Sequence, residues 1–143
     1  MDTINVEVNG RTLAAHQGET ILSTLKRAGI HVPTLCHMEG LPPSGACRMC
    51  VVEVAGSPGL VPSCSYPVAA GMKITTDTAA VIKARRTIVE LLLANHPDDC
   101  LYCVRGGNCE LQSLARNHGV TTRHFHGARA RRDRDVSGPS IQR

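Results

Sequence analysis

The sequence predicts an α+β fold: a small strand-rich unit with one short helix, then a helical unit, then a basic tail. Three observations carry this. Short alternating apolar runs and turn signals crowd roughly the first 75 residues. One long amphipathic run follows them. Seven cysteines fall into two groups, one on each side of that run.

Taken in order, Ile4-Asn5-Val6-Glu7-Val8 alternates apolar with polar, and Asn9-Gly10 supplies a type I′ turn signal. Thr12-Leu13-Ala14 runs back from it, which makes a β-hairpin. Thr20 is placed to cap a helix whose Ile21, Leu22, Leu25 and Ala28 share a face, with Gly29 at the stop position. From His31 to Cys47 the chain is loop-like, with Pro33, Gly40, Pro42, Pro43 and Gly45. Val51–Val54 reads as a strand, Leu60–Cys64 as a short one, and Met72–Thr76 as a third with Met72, Ile74 and Thr76 on one side. Asp77 then caps a helix over 78–95, with Val81, Ile82, Ile88, Val89, Leu92 and Leu93 as its apolar face and Lys83, Arg85 and Arg86 in water. Pro97 ends it. A cysteine-bearing loop, 98–108, leads into a shorter helix from Cys109 to about Asn117. The expected division is 1–77, 78–119, and an Arg-rich extended tail or linker over 120–143.

Composition narrows the function classes. The chain of 143 residues suits one ordinary domain or two small ones. Tyr66, Tyr102 and Phe125 are the only aromatics and Trp is absent, so base stacking on aromatics is poorly served. The net charge of +4 sits on the last 21 residues, where six arginines face Asp133 and Asp135. The Arg tail with its interrupting acids favours docking to a protein over nucleic acid. No basic n-region or apolar h-region opens the chain, and the longest apolar run, 88–94, is broken by Glu90, far short of the roughly 20 residues of a membrane span. A cytoplasmic, reducing setting follows, peripheral to a membrane complex at most. Disulfides do not persist there, so the cysteines are metal ligands, catalytic groups or inert core.

Their spacing decides among these. Cys36, Cys47, Cys50 and Cys64 read C-x10-C-x2-C-x13-C. The C-x2-C core puts two thiolates on one turn, and four thiolates complete a [2Fe-2S] cluster, a [4Fe-4S] cluster or a zinc site. Gly40, Gly45 and Ala46 let backbone N–H groups approach bridging sulfides. The split outer pair favours iron–sulfur over zinc, which more often joins two C-x2-C arms. The second group, Cys100, Cys103 and Cys109, is one ligand short of four, and His96 stands four residues before Cys100. Seven cysteines and one histidine make two sets of four with no thiol left over. A lone helix-end histidine would ordinarily be read as a polar terminus; its place beside an incomplete triad reverses that.

The chain resembles the N-terminal region of the large iron–sulfur subunit of respiratory NADH dehydrogenase (complex I), and similar regions of [FeFe]-hydrogenases and NAD-dependent formate dehydrogenases. The stretches that carry the resemblance are CHMEGLPPSGACRMCVVEVAGSPGLVPSC and HPDDCLYCVRGGNCELQSLA. It implies a β-grasp, plant-ferredoxin-like domain with a [2Fe-2S] cluster on Cys36, Cys47, Cys50 and Cys64. Behind it the resemblance implies a small helical domain with a [4Fe-4S] cluster on His96, Cys100, Cys103 and Cys109. The implied partners are a flavin-bearing NAD(H) subunit on one side and a hydrogenase, formate dehydrogenase or quinone-reducing assembly on the other. Residues 134–143 look like the linker that leads, in such relatives, into further [4Fe-4S] motifs, so the chain fits a free-standing subunit or a segment of a longer one.

No G-x-G-x-x-G, P-loop or candidate base appears, so the chain itself offers no catalytic site. The expected function is relay of single electrons. The alternative is a zinc-stabilised protein-interaction module with two structural sites. Among the remaining residues, His37 reads as a solvated loop histidine or a cluster-tuning donor. Arg48 reads as exposed or as offsetting cluster charge, Asp98-Asp99 as a solvated turn and cap pair, and His124-x-His126 as a weak metal motif.

Overall fold

The computed structural model describes residues 2–127, and most of the Arg-rich tail, including 134–143, lies outside them. The hairpin is β1 (Thr3–Val8) and β2 (Arg11–His16), paired antiparallel from Thr3↔His16 to Val8↔Arg11. Asn9 at φ 49° and Gly10 at φ 78° give the doubly left-handed turn that the Asn-Gly pair predicts. Helix α1 (Ile21–Arg27) follows, with Thr20 Oγ1 accepting from the Ser23 N–H at 3.2 Å as its cap. Strands β3 (Val51–Val54), β4 (Val61–Pro62) and β5 (Lys73–Thr75) complete a five-stranded mixed sheet in the order β2-β1-β5-β3-β4. β1 and β5 run parallel and every other pair is antiparallel. Asn9 ties the hairpin turn to the end of β5 by accepting from the Thr76 N–H (3.0 Å) and donating to Thr76 Oγ1 (2.9 Å).

Ile21, Leu22 and Leu25 of α1 press on Val6, Val8, Val52 and Ile74 of the sheet, all essentially without solvent contact, and Cys50 and Cys64 belong to this same core. The helix is held to the hairpin by Glu19. Its carboxylate accepts from the His16 N–H (2.7 Å), Thr24 Oγ1 (2.9 Å) and both Nη atoms of Arg27 (2.8 and 2.9 Å). Burial pushes the Glu19 pKa up, but the bonds from Arg27, the His16 N–H and Thr24 outweigh it and leave it lowered. A carboxyl with a depressed folded value stabilises the fold fully above the ordinary value of 4.5, and that stability is lost as pH falls through the folded value. Glu19→Gln is expected to cost about 1–2 kcal/mol at neutral pH in urea unfolding. The gap from the parent should narrow below the ordinary carboxylate range; a gap that stays constant there would exclude the ionised carboxylate as its source.

Helices α2 (Ala79–Ala94) and α3 (Glu110–Asn117) follow the sheet in the chain. Two expectations for α2 need correction. Its cap is Thr78, whose Oγ1 accepts from the Val81 N–H at 3.2 Å, and not Asp77, which accepts from Thr76 Oγ1 at 2.7 Å instead. Arg85 is buried rather than wet, while Ile82 is 52% exposed and Leu92 also reaches solvent. The reason is helical phase: Val81, Arg85 and Val89 are spaced i, i+4, i+8 and share one inward stripe.

A second core joins Met49, Val89, Leu114 and Val120, with Leu35, Cys47, Ile88 and Leu93 packed against it. The turn between Cys47 and Cys50 is thus seated under α2 and α3. The described part of the tail runs back along α2. His124 Nδ1 meets Glu90 Oε2 at 3.0 Å, and the Gly127 N–H donates to the Ala94 carbonyl at 3.2 Å. A Cβ on Gly127 would overlap the Asn95 side chain, which would have to turn aside. Among the described residues no helix is long and apolar enough to cross a membrane.

Candidate metal centres

The loop after α1 and the strands that follow it bring Cys36, Cys47, Cys50 and Cys64 together. Cys50 immediately precedes β3 and Cys64 follows β4, so the β3–β4 pairing sets them side by side. Ser63 locks that register, its N–H and Oγ both donating to the Cys50 carbonyl at 3.2 and 2.7 Å. Cys36 and Cys47 lie half-buried on the outer side, whereas Cys50 and Cys64 are buried. Ser44 Oγ donates to Cys36 Sγ (3.5 Å) and the Met49 N–H to Cys47 Sγ (3.4 Å).

The thiols feel one another. Ser44 Oγ, the Cys47 N–H and thiol, and the Ala46 N–H hold the Cys36 pKa down to about 7 despite partial burial. Burial first, then the sulfur of Cys50 and the charge of Cys36, push Cys64 up to about 11, against a hydrogen bond from the Gly45 backbone. Cys36 thus pairs with Cys47, and Cys50 with Cys64. Backbone donors from 45–47 and 49 are gathered around them, as an anionic cluster requires. Two backbone positions make this possible. Gly45 has φ 62° and its missing Cβ would stand 3.0 Å from Ser65 Oγ. Arg48 adopts φ 61° without being glycine, a strained conformation inside the C-x2-C turn that costs on the order of 1–3 kcal/mol. His37 is half-buried, and its Nδ1 is shielded from solvent with no hydrogen-bond partner among the described residues.

The second set is built where α2 ends. His96 N–H closes the helix on the Leu93 carbonyl at 3.1 Å, and Pro97 turns the chain away. A run of tight turns follows, with Cys103 N–H to Cys100 O (3.4 Å) and Gly106 N–H to Cys103 O (2.8 Å). The Arg105 N–H donates to Cys103 Sγ at 3.4 Å, as the Met49 N–H does to Cys47 in the first set. A Cβ on Gly106 would stand 3.0 Å from the Cys103 carbonyl and 3.2 Å from that of Cys100, so any larger residue would push the two turns apart. Cys109 occupies the N-cap of α3 but makes no capping bond, which leaves its thiol free at the positive end of the helix.

His96, Cys100, Cys103 and Cys109 all line one part-open cavity, together with Leu93 and Arg123. Sequence reasoning assigned Arg123 only to the tail. In the structure it clamps the site, donating to the His96 carbonyl at 3.4 Å and forking onto the carboxylate of Asp98. Asp98 is therefore a partner of Arg123 and not a free turn residue. His124 pairs with Glu90 rather than with His126.

Both donor sets fit iron–sulfur clusters: they are sulfur-rich and leave no thiol over, and backbone N–H donors surround the first while the Arg105 N–H serves Cys103 in the second.

The comparisons agree with this geometry. Residues 1–79 match the 2Fe-2S iron-sulfur cluster binding domain, and residues 85–124 match the NADH-ubiquinone oxidoreductase-G iron-sulfur binding region. The chain is 40% identical to the NADP-reducing hydrogenase subunit HndD of Solidesulfovibrio fructosivorans, over 99% of this chain and 25% of that one. It is 46% identical to the NADH-ubiquinone oxidoreductase 75 kDa subunit of Reclinomonas americana, over 86% of this chain and 18% of the relative. A chain in the crystal structure of an NAD+-reducing [NiFe]-hydrogenase in the H2-reduced state superposes with a TM-score of 0.84 at 32% identity, covering 95% of this chain and 57% of that one. The chain thus spans a quarter or less of the length of these curated relatives. It belongs to the 2Fe-2S iron–sulfur cluster binding domain family, with an NADH-ubiquinone oxidoreductase-G iron–sulfur binding region behind that domain, and it takes one [2Fe-2S] and one [4Fe-4S] cluster.

Proposed function

We propose that this chain relays single electrons between a flavin-bearing NAD(H) subunit and a hydrogenase, formate dehydrogenase or quinone-reducing partner, working in the cytoplasm or at the face of a membrane complex. In this reading residues 1–77 hold the [2Fe-2S] cluster on Cys36, Cys47, Cys50 and Cys64. Residues 78–119 hold the [4Fe-4S] cluster on His96, Cys100, Cys103 and Cys109, and 120–143 lead toward a neighbour. When bound, such clusters take up and return one electron at a time without making or breaking a substrate bond. The single observation that carries the reading is the partition of all seven cysteines and His96 into two separate donor sets, one of them around a single cavity.

The chain's own residues do the rest. Ser44 and the backbone N–H groups of 45–47 and 49 stabilise sulfur-borne negative charge at the first site. Cys103 has the Arg105 N–H for the same purpose. Met49 and Val89 are fully buried in one apolar cluster, against which Cys47 of the first set and Leu93 beside the second both pack. Leu101, Tyr102 and Val104 stand 90–100% exposed on the loop that carries Cys100 and Cys103. Exposed apolar residues in such a group suit contact with another subunit. The hydrogenase and NADH dehydrogenase subunits among the relatives support partners of the oxidoreductase-subunit kind.

The test is elemental and spectroscopic. Anaerobically purified protein should be brown, with about six iron and six sulfide per chain and two distinct EPR signals on reduction. A colourless protein with two zinc ions would defeat the reading.

A further inference from the structure

The first donor set has a positive charge beside it that comes from the other half of the chain. Arg85 of α2 is only 4% exposed. One Nη donates at 2.8 Å to the carbonyl of Val51, the residue after Cys50, and the other reaches Asp77 Oδ1 at 3.5 Å. Its Nε is buried with no partner among the described residues. A buried guanidinium is retained at high cost unless an anion faces it. Asp77 answers that need poorly, because the contact is long and its side chain is 71% exposed, so water screens it. Burial pulls the pKa of Arg85 down, and the charges of Asp77 and then Cys50 oppose that pull. The Val51 carbonyl that Arg85 grips directly follows Cys50, so the guanidinium stands at the Cys50 side of the first donor set.

We propose that Arg85, delivered by α2, holds a desolvated positive charge against the Cys50 edge of the [2Fe-2S] site and raises the potential at which that site accepts its electron. The inference rests on the ligand reading above and deepens it. Reduction adds one negative charge and no proton at the site. A fixed cation in low dielectric stabilises the reduced form more than the oxidised one, and an exposed lysine at similar distance does so far less. The second unit of the chain thereby sets the potential of the first.

The experiment is an EPR-monitored redox titration of the full chain carrying both clusters, with Arg85→Gln, Arg85→Lys and, as a charge control, the exposed Lys83→Gln. Glutamine keeps an N–H donor for Val51 and removes the charge; lysine keeps the charge. At the parent's midpoint, R85Q should show a reduced-to-oxidised ratio about tenfold lower, which is 59 mV for a one-electron couple. R85K should stay close to the parent, K83Q should not move, and the [4Fe-4S] signal should titrate unchanged in all three. R85Q with an intact [2Fe-2S] signal at the parent's ratio overturns the proposal, as does an equal drop in K83Q or R85K. Loss of the [2Fe-2S] signal in R85Q and R85K alike assigns Arg85 a purely structural role and also overturns it. A parent protein without any [2Fe-2S] signal refutes the ligand reading instead.

Discussion

Cys64→Ala is expected to abolish the [2Fe-2S] EPR signal and lower the iron content from about six to about four per chain, with the [4Fe-4S] signal kept. Cys64 is 1% exposed and sits in the same core as Val52 and Ile74, so no water or surface side chain can take its place. Its thiol is pushed up to about 11 by burial and by its sulfur neighbours, so the metal-free protein holds it protonated at neutral pH. Incorporation of iron must then expel that proton, and the free energy of the iron–thiolate bonds is coupled to folding around them. Without the sulfur, the side-chain pair that Cys64 forms with the buried Cys50 is broken, while Ser63 still holds the backbone register. The proposed [4Fe-4S] donors come from 96–109, and none of them belongs to this core. A variant that keeps both EPR signals at full intensity would exclude Cys64 as a ligand.

What the sequence could reveal of this arrangement was local in origin. The Asn9-Gly10 turn, the Thr20 cap and the β3 strand depend on residues adjacent in the chain, and each lies where its pattern predicts. The proposed donor sets rest on spacing, which is also local, and the structure gathers His96 and Cys100, Cys103 and Cys109 around one cavity. The failures share a different cause. Asp77 and Thr78 are both good capping residues, and the choice is made by backbone direction at Thr78, with ψ 160°, which no neighbouring residue announces. Arg85 was assigned by chemical type when its phase with Val81 and Val89 already pointed inward. The grip of Arg123 on Asp98 and His96 spans at least 25 residues, and pairing at that separation has no periodic signature.

His96→Ala is expected to be as large in effect at the second site and to spare the first. The imidazole is the only non-sulfur member of its set, and its backbone is held independently of its side chain. The N–H bonds to the Leu93 carbonyl at 3.1 Å, and the carbonyl accepts from Arg123 at 3.4 Å. Removing the ring therefore removes a donor while the end of α2 stays in place. The expected result is loss or degradation of the [4Fe-4S] signal, with iron falling toward about two per chain and the [2Fe-2S] signal untouched. His96→Cys separates ligation from mere packing. A thiolate there should restore the iron content, and because it replaces a neutral ligand with a charged one it should shift the [4Fe-4S] potential to more negative values. If H96A keeps both signals at full strength, the fourth donor lies elsewhere. If H96C restores iron without moving the potential, the histidine acts by shaping the cavity and not as a ligand.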